Sequence, residues 1–191
     1  MSHFTVKDLM VPLSEYATVR KGATLFEAVL ALEKAQEDYD HTKYRHRAML
    51  ILDEKNRVVG KLSHLDVLRA IRPQEMTAGD LEDLVDFGFS QKAIHNFMGK
   101  KYLQEATLED LCMKAAKLKV ENFMQTPSEG EYVEPETSLE AAIQQMILGQ
   151  LLSLLVAKDR VIVGILRLSD VFAAIFHTMK ECQSRYAKEA E

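Results

Sequence analysis

The chain repeats itself, and that repeat limits what it can fold into more than any other feature. Val6-Lys7-Asp8-Leu9-Met10 returns as Val120-Glu121-Asn122-Phe123-Met124, 114 residues later. Val19 matches Val133, Thr24-Leu25 matches Ser138-Leu139, and Ala28-Val29 matches Ala142-Ile143 at the same spacing. Further along, residues 58–71 align with 162–175 at a spacing of 104, and seven of those 14 positions are identical. The first copy therefore carries about ten extra residues, with the polar run 36–47 as their natural place, either a loop or a helix extension. At 191 residues there is room for two small units. Each is marginal alone, so the two are expected to share a buried face.

Each copy has the same order of elements. Thr24 and Glu27 form a T-x-x-E capping box ahead of Leu25, Ala28, Val29 and Leu32, which predicts a helix over 24–35 with that stripe inward. Residues 48–52 and 58–62, joined by the polar turn Asp53-Glu54-Lys55-Asn56, read as two short buried strands in a hairpin. A closing helix through Asp66, Val67, Leu68, Ala70 and Ile71 stops before Pro73. With an extended piece at 17–19, the unit is strand, helix, strand, strand, helix. The second copy predicts a helix over 138–148 ended by Gly149, strands at 152–157 and 161–166, and a helix from about Ser169 into the tail. Between the copies, helices are expected at 77–86, at 90–98 and from Thr107, the last with Leu108, Leu111, Cys112, Ala115 and Leu118 on one face. The fold class is α/β, of the α+β kind: two βαββα repeats packed as a pseudo-twofold pair around a helical insert, divided at 1–72, 73–118 and 119–191.

Composition removes several functional classes. Hydrophobic residues at 47%, charged residues at 28% and a net charge of -5 describe an ordinary globular chain. The most apolar stretch, 146–157, is broken by Gly149, Gln150 and Ser153 and falls short of the roughly 18 apolar residues a membrane span needs. The N-terminus has no apolar core behind a basic start, so a cytoplasmic location is expected. Cys112 and Cys182 lie in helical patterns and are expected as reduced, buried thiols. His41 with His46, and His177 with Cys182, lack a third and fourth partner at metal-ligand spacing, so no metal site is expected. The nine methionines, scattered through apolar faces, are expected mostly to fill core gaps. A helix-turn-helix at 77–98 has an acidic first half, Glu75, Asp80, Glu82, Asp83 and Asp86, with Lys92, Lys100 and Lys101 after it. Nucleic acid is therefore not an expected partner.

The most specific residues are Gly60-Lys61-Leu62-Ser63-His64-Leu65-Asp66, the pattern G-x-x-[ST]-x-x-D between the last strand and the closing helix. Taken with Asp8-Leu9-Met10-Val11-Pro12 and the hairpin, they make each copy resemble a CBS domain, the module named after cystathionine β-synthase, over 6–71 and 120–176. The resemblance implies a non-catalytic regulatory module, a homodimer with no required cofactor. It would bind an adenosine-containing nucleotide, of the AMP, ADP, ATP or S-adenosylmethionine type, between the repeats, changing conformation or assembly and so acting on a protein partner not identified by sequence. In the first copy it implies that Ser63, His64 and Asp66 hold phosphate and ribose, that Val11, Tyr16, Ala17, Val19, Ala48 and Met49 enclose the base, and that Arg45, His46 and Arg47 reach phosphates.

The residues supply a physical basis for this. Ser63 would stand at a helix N-terminus, where free N–H groups favour an anion, and Asp66 can accept from ribose hydroxyls. The same pair also fits a capping box with no ligand. In the second copy Arg167 stands in the place of Ser63 while Gly164 and Asp170 are kept, giving a weaker site with Tyr132 and Val133. Arg167 either clamps a phosphate or pairs with Asp170 at i, i+3. One good site, in the first copy, is expected. The alternatives are a dimerisation scaffold without ligand and, further off, a DNA-binding regulator acting through the insert.

Overall fold

A computed structural model describes residues 4–37, 46–71 and 107–189. The expected helices at 77–86 and 90–98, with His41, Arg45, Lys92, Lys100 and Lys101, fall outside these residues. In the first repeat β2 (Thr18–Arg20) runs parallel to β3 (Ala48–Leu52), which is antiparallel to β4 (Val58–Ser63). Between β2 and β3 lies α2 (Leu25–Glu37), which starts with the expected box: Glu27 N donates to Thr24 Oγ1 at 3.2 Å and Thr24 N to Glu27 Oε2 at 2.7 Å. It buries Leu25, Ala28 and Leu32. Val29 was expected in that stripe but is exposed, because it sits at the stripe's edge, one turn from Leu25 on the side away from Ala28. The hairpin turn is held by Asp53, whose Oδ1 accepts from the amides of Lys55 and Arg57, with Asn56 left-handed at φ 60°. Then α3 (His64–Ile71) closes the unit.

At the end of the insert, α4 (Leu108–Ala116) begins at the Thr107/Asp110 capping box. Its inward face is narrower than expected: Ala115 is buried and Leu111 and Leu118 are half-buried, while Leu108 and Cys112 face solvent. Cys182 is exposed as well, so both thiols are free and at the surface rather than buried. In the second repeat β5 (Tyr132–Val133) is parallel to β6 (Ser153–Lys158), which is antiparallel to β7 (Val161–Arg167), with α5 (Leu139–Gly149) before β6 and α6 (Leu168–Glu189) after β7. Gly149 was expected to stop α5 but is its last helical residue. The left-handed stop is Gln150, at φ 51°, and the turn is closed by Leu151 N donating to Met146 O and Gln150 N to Ile147 O. Gly149 is needed because a Cβ there would lie 2.8 Å from Leu151 Cγ, which folds back over it.

The two repeats exchange their opening segments. After α1 (Val6–Leu9), β1 (Val11–Pro12) pairs with β7 of the second repeat, Val11 opposite Ile165 and Pro12 opposite Gly164. Reciprocally, Gln125 bridges Lys61 of β4 through two backbone hydrogen bonds of 2.9 and 2.8 Å. The cores follow the exchange. Val6 is fully buried among Leu139, Ala142 and Leu166, and Val120 among Leu25, Ala28 and Leu62. A third cluster, Val11, Tyr16, Leu50, Leu155 and Ile165, fills the space between the two sheets. The repeat register is refined by the pairing. Ile51 faces Gly60 and Val156 faces Gly164, so β3 and β6 are 105 residues apart where β4 and β7 are 104 apart, and one extra residue of the first copy sits in its hairpin turn.

Candidate functional site: two unequal strand-to-helix motifs

Each repeat ends its last strand directly in a helix, and the polar side chains gather at that junction. In the first repeat Ala48 pairs with Ser63 across the sheet, and His64 N donates to Arg47 O at 3.1 Å, which brings the starts of β3 and α3 together. Ser63 caps α3: Asp66 N donates to its Oγ at 3.3 Å, and Ser63 N and Oγ donate back to Asp66 Oδ2 at 2.8 and 2.6 Å. Asp66 Oδ1 accepts from Arg69 Nη1 and from Gln125 Nε2, each at 2.8 Å. Burial, with only 2% of Asp66 exposed, pushes its carboxyl up, but the bonds from Ser63, Gln125 and Arg69 outweigh that and hold it below the usual carboxylate range. Arg47 and His64 are exposed beside the cap.

The second junction is built differently. Arg167 is 5% exposed and forms a two-pronged pair with Asp170, Nε donating to Oδ2 at 2.5 Å and Nη2 to Oδ1 at 2.6 Å. Its Nη1 donates to His46 Nδ1 at 3.2 Å, so a residue of the first repeat backs the guanidinium. Tyr16 meets the His46 ring edge to face, centroids 4.5 Å apart. Burial and then the Arg167 charge push His46 down to about 4, against the opposing influence of Asp170 and the Glu15 backbone. His46, expected among the residues reaching phosphates, is instead wholly buried as part of this tie between repeats.

The residues expected around a base are divided among different places. Ala48 lies at the first junction; Val11 and Tyr16 lie in the cluster between the sheets; Ala17, Val19 and Met49 belong to the first core, where Ala17 O accepts from Leu50 N at 3.0 Å. Val133 is in the second core and Tyr132 is partly exposed, its carbonyl accepting from Gln145 Nε2. A shallow depression of about 540 Å³ opens over α5, lined by Gly130, Gln144, Gln145 and Leu148, away from both junctions. Sequence reasoning missed Gln125 and Arg69 on Asp66, and the ion pair between Lys61 and Glu131 at 2.7 Å across the repeats. Position 125 did carry a signal, since it is Val11 displaced by 114, the place where an opening segment meets the opposite sheet. Among the described residues no three His, Cys, Asp or Glu side chains gather as metal ligands would, and no helix is long and apolar enough to cross a membrane.

Two βαββα repeats, intertwined through their opening strands and each passing from strand to helix at a G-x-x-x-x-x-D turn, define an internally duplicated module. The chain belongs to the CBS-domain family, whose description it matches over residues 6–73 and 120–177. CBS domains are regulatory modules. No curated protein matches by sequence. Solved structures share the fold. A CBS domain-containing protein of unknown function from Bacillus anthracis superposes with a TM-score of 0.59 at 19% identity, covering 91% of this chain and 94% of that one. CBSX2, solved in complex with AMP, gives 0.55 at 19% identity, with 92% and 98% covered. The cytosolic domain of the Mg2+ channel MgtE, solved in complex with ATP, gives 0.51 at 22% identity, with 87% of this chain and 46% of that one covered.

Proposed function

We propose that this chain is a non-catalytic regulatory module that takes one adenosine-containing nucleotide, at the Ser63/Asp66 junction of the first repeat, and passes its presence to a protein partner. The inequality of the two junctions carries this reading. In the first, a short hydroxyl side chain and the N-terminus of α3 stand beside exposed Arg47 and His64, a setting that favours a phosphate. In the second, Arg167 takes up both carboxylate oxygens of Asp170 and is itself bonded to His46. The AMP and ATP in the complexes of CBSX2 and MgtE are the class of ligand that supports this choice.

Titration calorimetry of the full chain with AMP, ATP and S-adenosylmethionine tests it. One nucleotide per chain is expected, with Asp66→Ala weakening binding about tenfold or more, the loss of a hydrogen bond to a charged group. If Asp66→Ala leaves affinity unchanged and only lowers stability by the ~1 kcal/mol of a lost cap, the pair is a helix cap and nothing else. Two nucleotides per chain would reject the single-site reading.

The exposed apolar side chains of the helices favour a second element of function, assembly. Phe26 and Leu30 on α2, Leu65 and Leu68 on α3, and Phe172 and Phe176 on α6 face solvent, as surfaces that meet another protein do. Sedimentation is expected to find a homodimer whose shape responds to nucleotide. Identical profiles with and without saturating nucleotide leave a scaffold in place of a switch. The free surface thiols Cys112 and Cys182 suit the reducing cytoplasm.

A further inference from the structure

Asp66 has no acceptor left to offer. A carboxylate has about four lone-pair positions, and here all are taken: two by Ser63 N and Oγ on Oδ2, two by Arg69 and Gln125 on Oδ1. The Ser63 bonds are the cap of α3 and cannot go without losing it. Arg69 is three residues along the same helix with a half-exposed side chain, a rim contact that gives way at little cost. Gln125 is different, because it arrives from the opening segment of the second repeat and its backbone is pinned to Lys61 in both directions. Only its side chain has freedom to leave, and Gln125 is exposed, so a released amide passes directly to water.

We infer that the Gln125 amide is a built-in occupant of Asp66: Arg69 gives way to one hydroxyl of a ligand's ribose, and the second must displace Gln125, making Gln125 the residue that sets affinity for a vicinal diol and couples its binding to the second repeat. This rests on the nucleotide reading of the first junction. Displacement opens one of the side-chain ties between repeats, and by linkage whatever loosens that tie raises affinity for the diol equally. The second junction shows the same device in a permanent form: both oxygens of Asp170 are taken by Arg167, itself held by His46 of the other repeat.

The test is calorimetry of the full chain with AMP and with the dideoxy analogue that lacks both ribose hydroxyls, for wild type, Gln125→Ala and Gln125→Leu. Both variants are expected to bind AMP about three- to tenfold more tightly, the equivalent of removing one competing hydrogen bond, with no tightening of the dideoxy analogue. AMP affinity that is unchanged or weaker in both variants overturns the inference while leaving the nucleotide reading intact. Absence of AMP binding in all three chains overturns the nucleotide reading first. A readout independent of any variant is the Gln125 side-chain amide resonance of the wild-type chain: it is expected to move to a water-exposed position at saturating AMP, and a resonance that does not move overturns the inference.

Discussion

At neutral pH the His46 imidazole is uncharged, because burial and the adjacent Arg167 guanidinium both oppose a second positive charge between the repeats. That has a measurable consequence. The folded group titrates at about 4, below its ordinary 6.5, so between those values the unfolded chain holds a proton that the folded chain does not. Stability must therefore fall as pH drops from about 6.5 towards 4, by at most about 1.4 kcal/mol per pH unit and on the order of 2 kcal/mol in total between pH 7 and 4.5. Denaturant unfolding of wild type and His46→Gln across that range checks it: the variant is expected to lack this component, and parallel pH profiles would sink the assignment. Read along the chain, Arg45, His46 and Arg47 look like one basic cluster facing a phosphate. Of the two described, only Arg47 faces solvent, since no local pattern says which of three neighbouring residues the other repeat will cover. Ser63 and Asp66 were legible because their three-residue spacing is a local geometric relation, whereas Gln125 reaches Asp66 from 59 residues away.

The strand exchange turns the two motif glycines into packing positions of different kinds. A Cβ on Gly164 would lie 2.6 Å from the carbonyl oxygen of Val11, on the exchanged strand β1, and that backbone has no easy way to move. A Cβ on Gly60 would lie 2.5 Å from Met124 Sδ, the end of a flexible side chain. Gly164→Ala is therefore expected to cost about 1–3 kcal/mol, the range for overpacking a fixed neighbour, and Gly60→Ala less. The double-mutant cycles discriminate further. Gly60→Ala and Met124→Ala should couple, because removing the thioether removes the clash, while Gly164→Ala and Met10→Ala should add, because the obstructing atom is backbone. Equal costs, or rescue of Gly164→Ala by Met10→Ala, would contradict this account. The hairpins and most helices were readable because alternation, capping boxes and helix stops are local. The exchange was not, since the opening Val-x-x-x-Met looks the same whichever sheet it joins. Helix faces were read too broadly for the same reason: Val29, Leu108 and Cys112 fit an apolar stripe in sequence, but no neighbouring element lies over them.

Taken as a whole, the molecule has no seam at which one repeat separates from the other. Each core includes a fully buried valine from the other copy's opening segment, Val6 in the second and Val120 in the first. Each βαββα unit lacks a strand or bridge until the other supplies it, and His46 with Arg167, Lys61 with Glu131 and Asp66 with Gln125 tie them further. Lys61 and Glu131 are both largely buried: burial pushes the Glu131 carboxyl up, but the Lys61 and Ser128 bonds outweigh it and hold it below its usual range. Unfolding one repeat alone would strip these groups of partners and expose the apolar cluster between the sheets, a cost the remaining repeat cannot offset. The chain is therefore expected to unfold in one cooperative step despite its internal duplication, with calorimetric and van't Hoff enthalpies equal. Native-state hydrogen exchange locates the test in the strands themselves. Amides of β4 and β7, such as Leu62 and Leu166, should open with the same free energy, and a substitution in only one core, Leu166→Ala, should lower both together. Protection of Leu62 that survives the loss of Leu166 would show two independent units, and a ligand at Ser63 and Asp66 would then have no structural route to the second repeat.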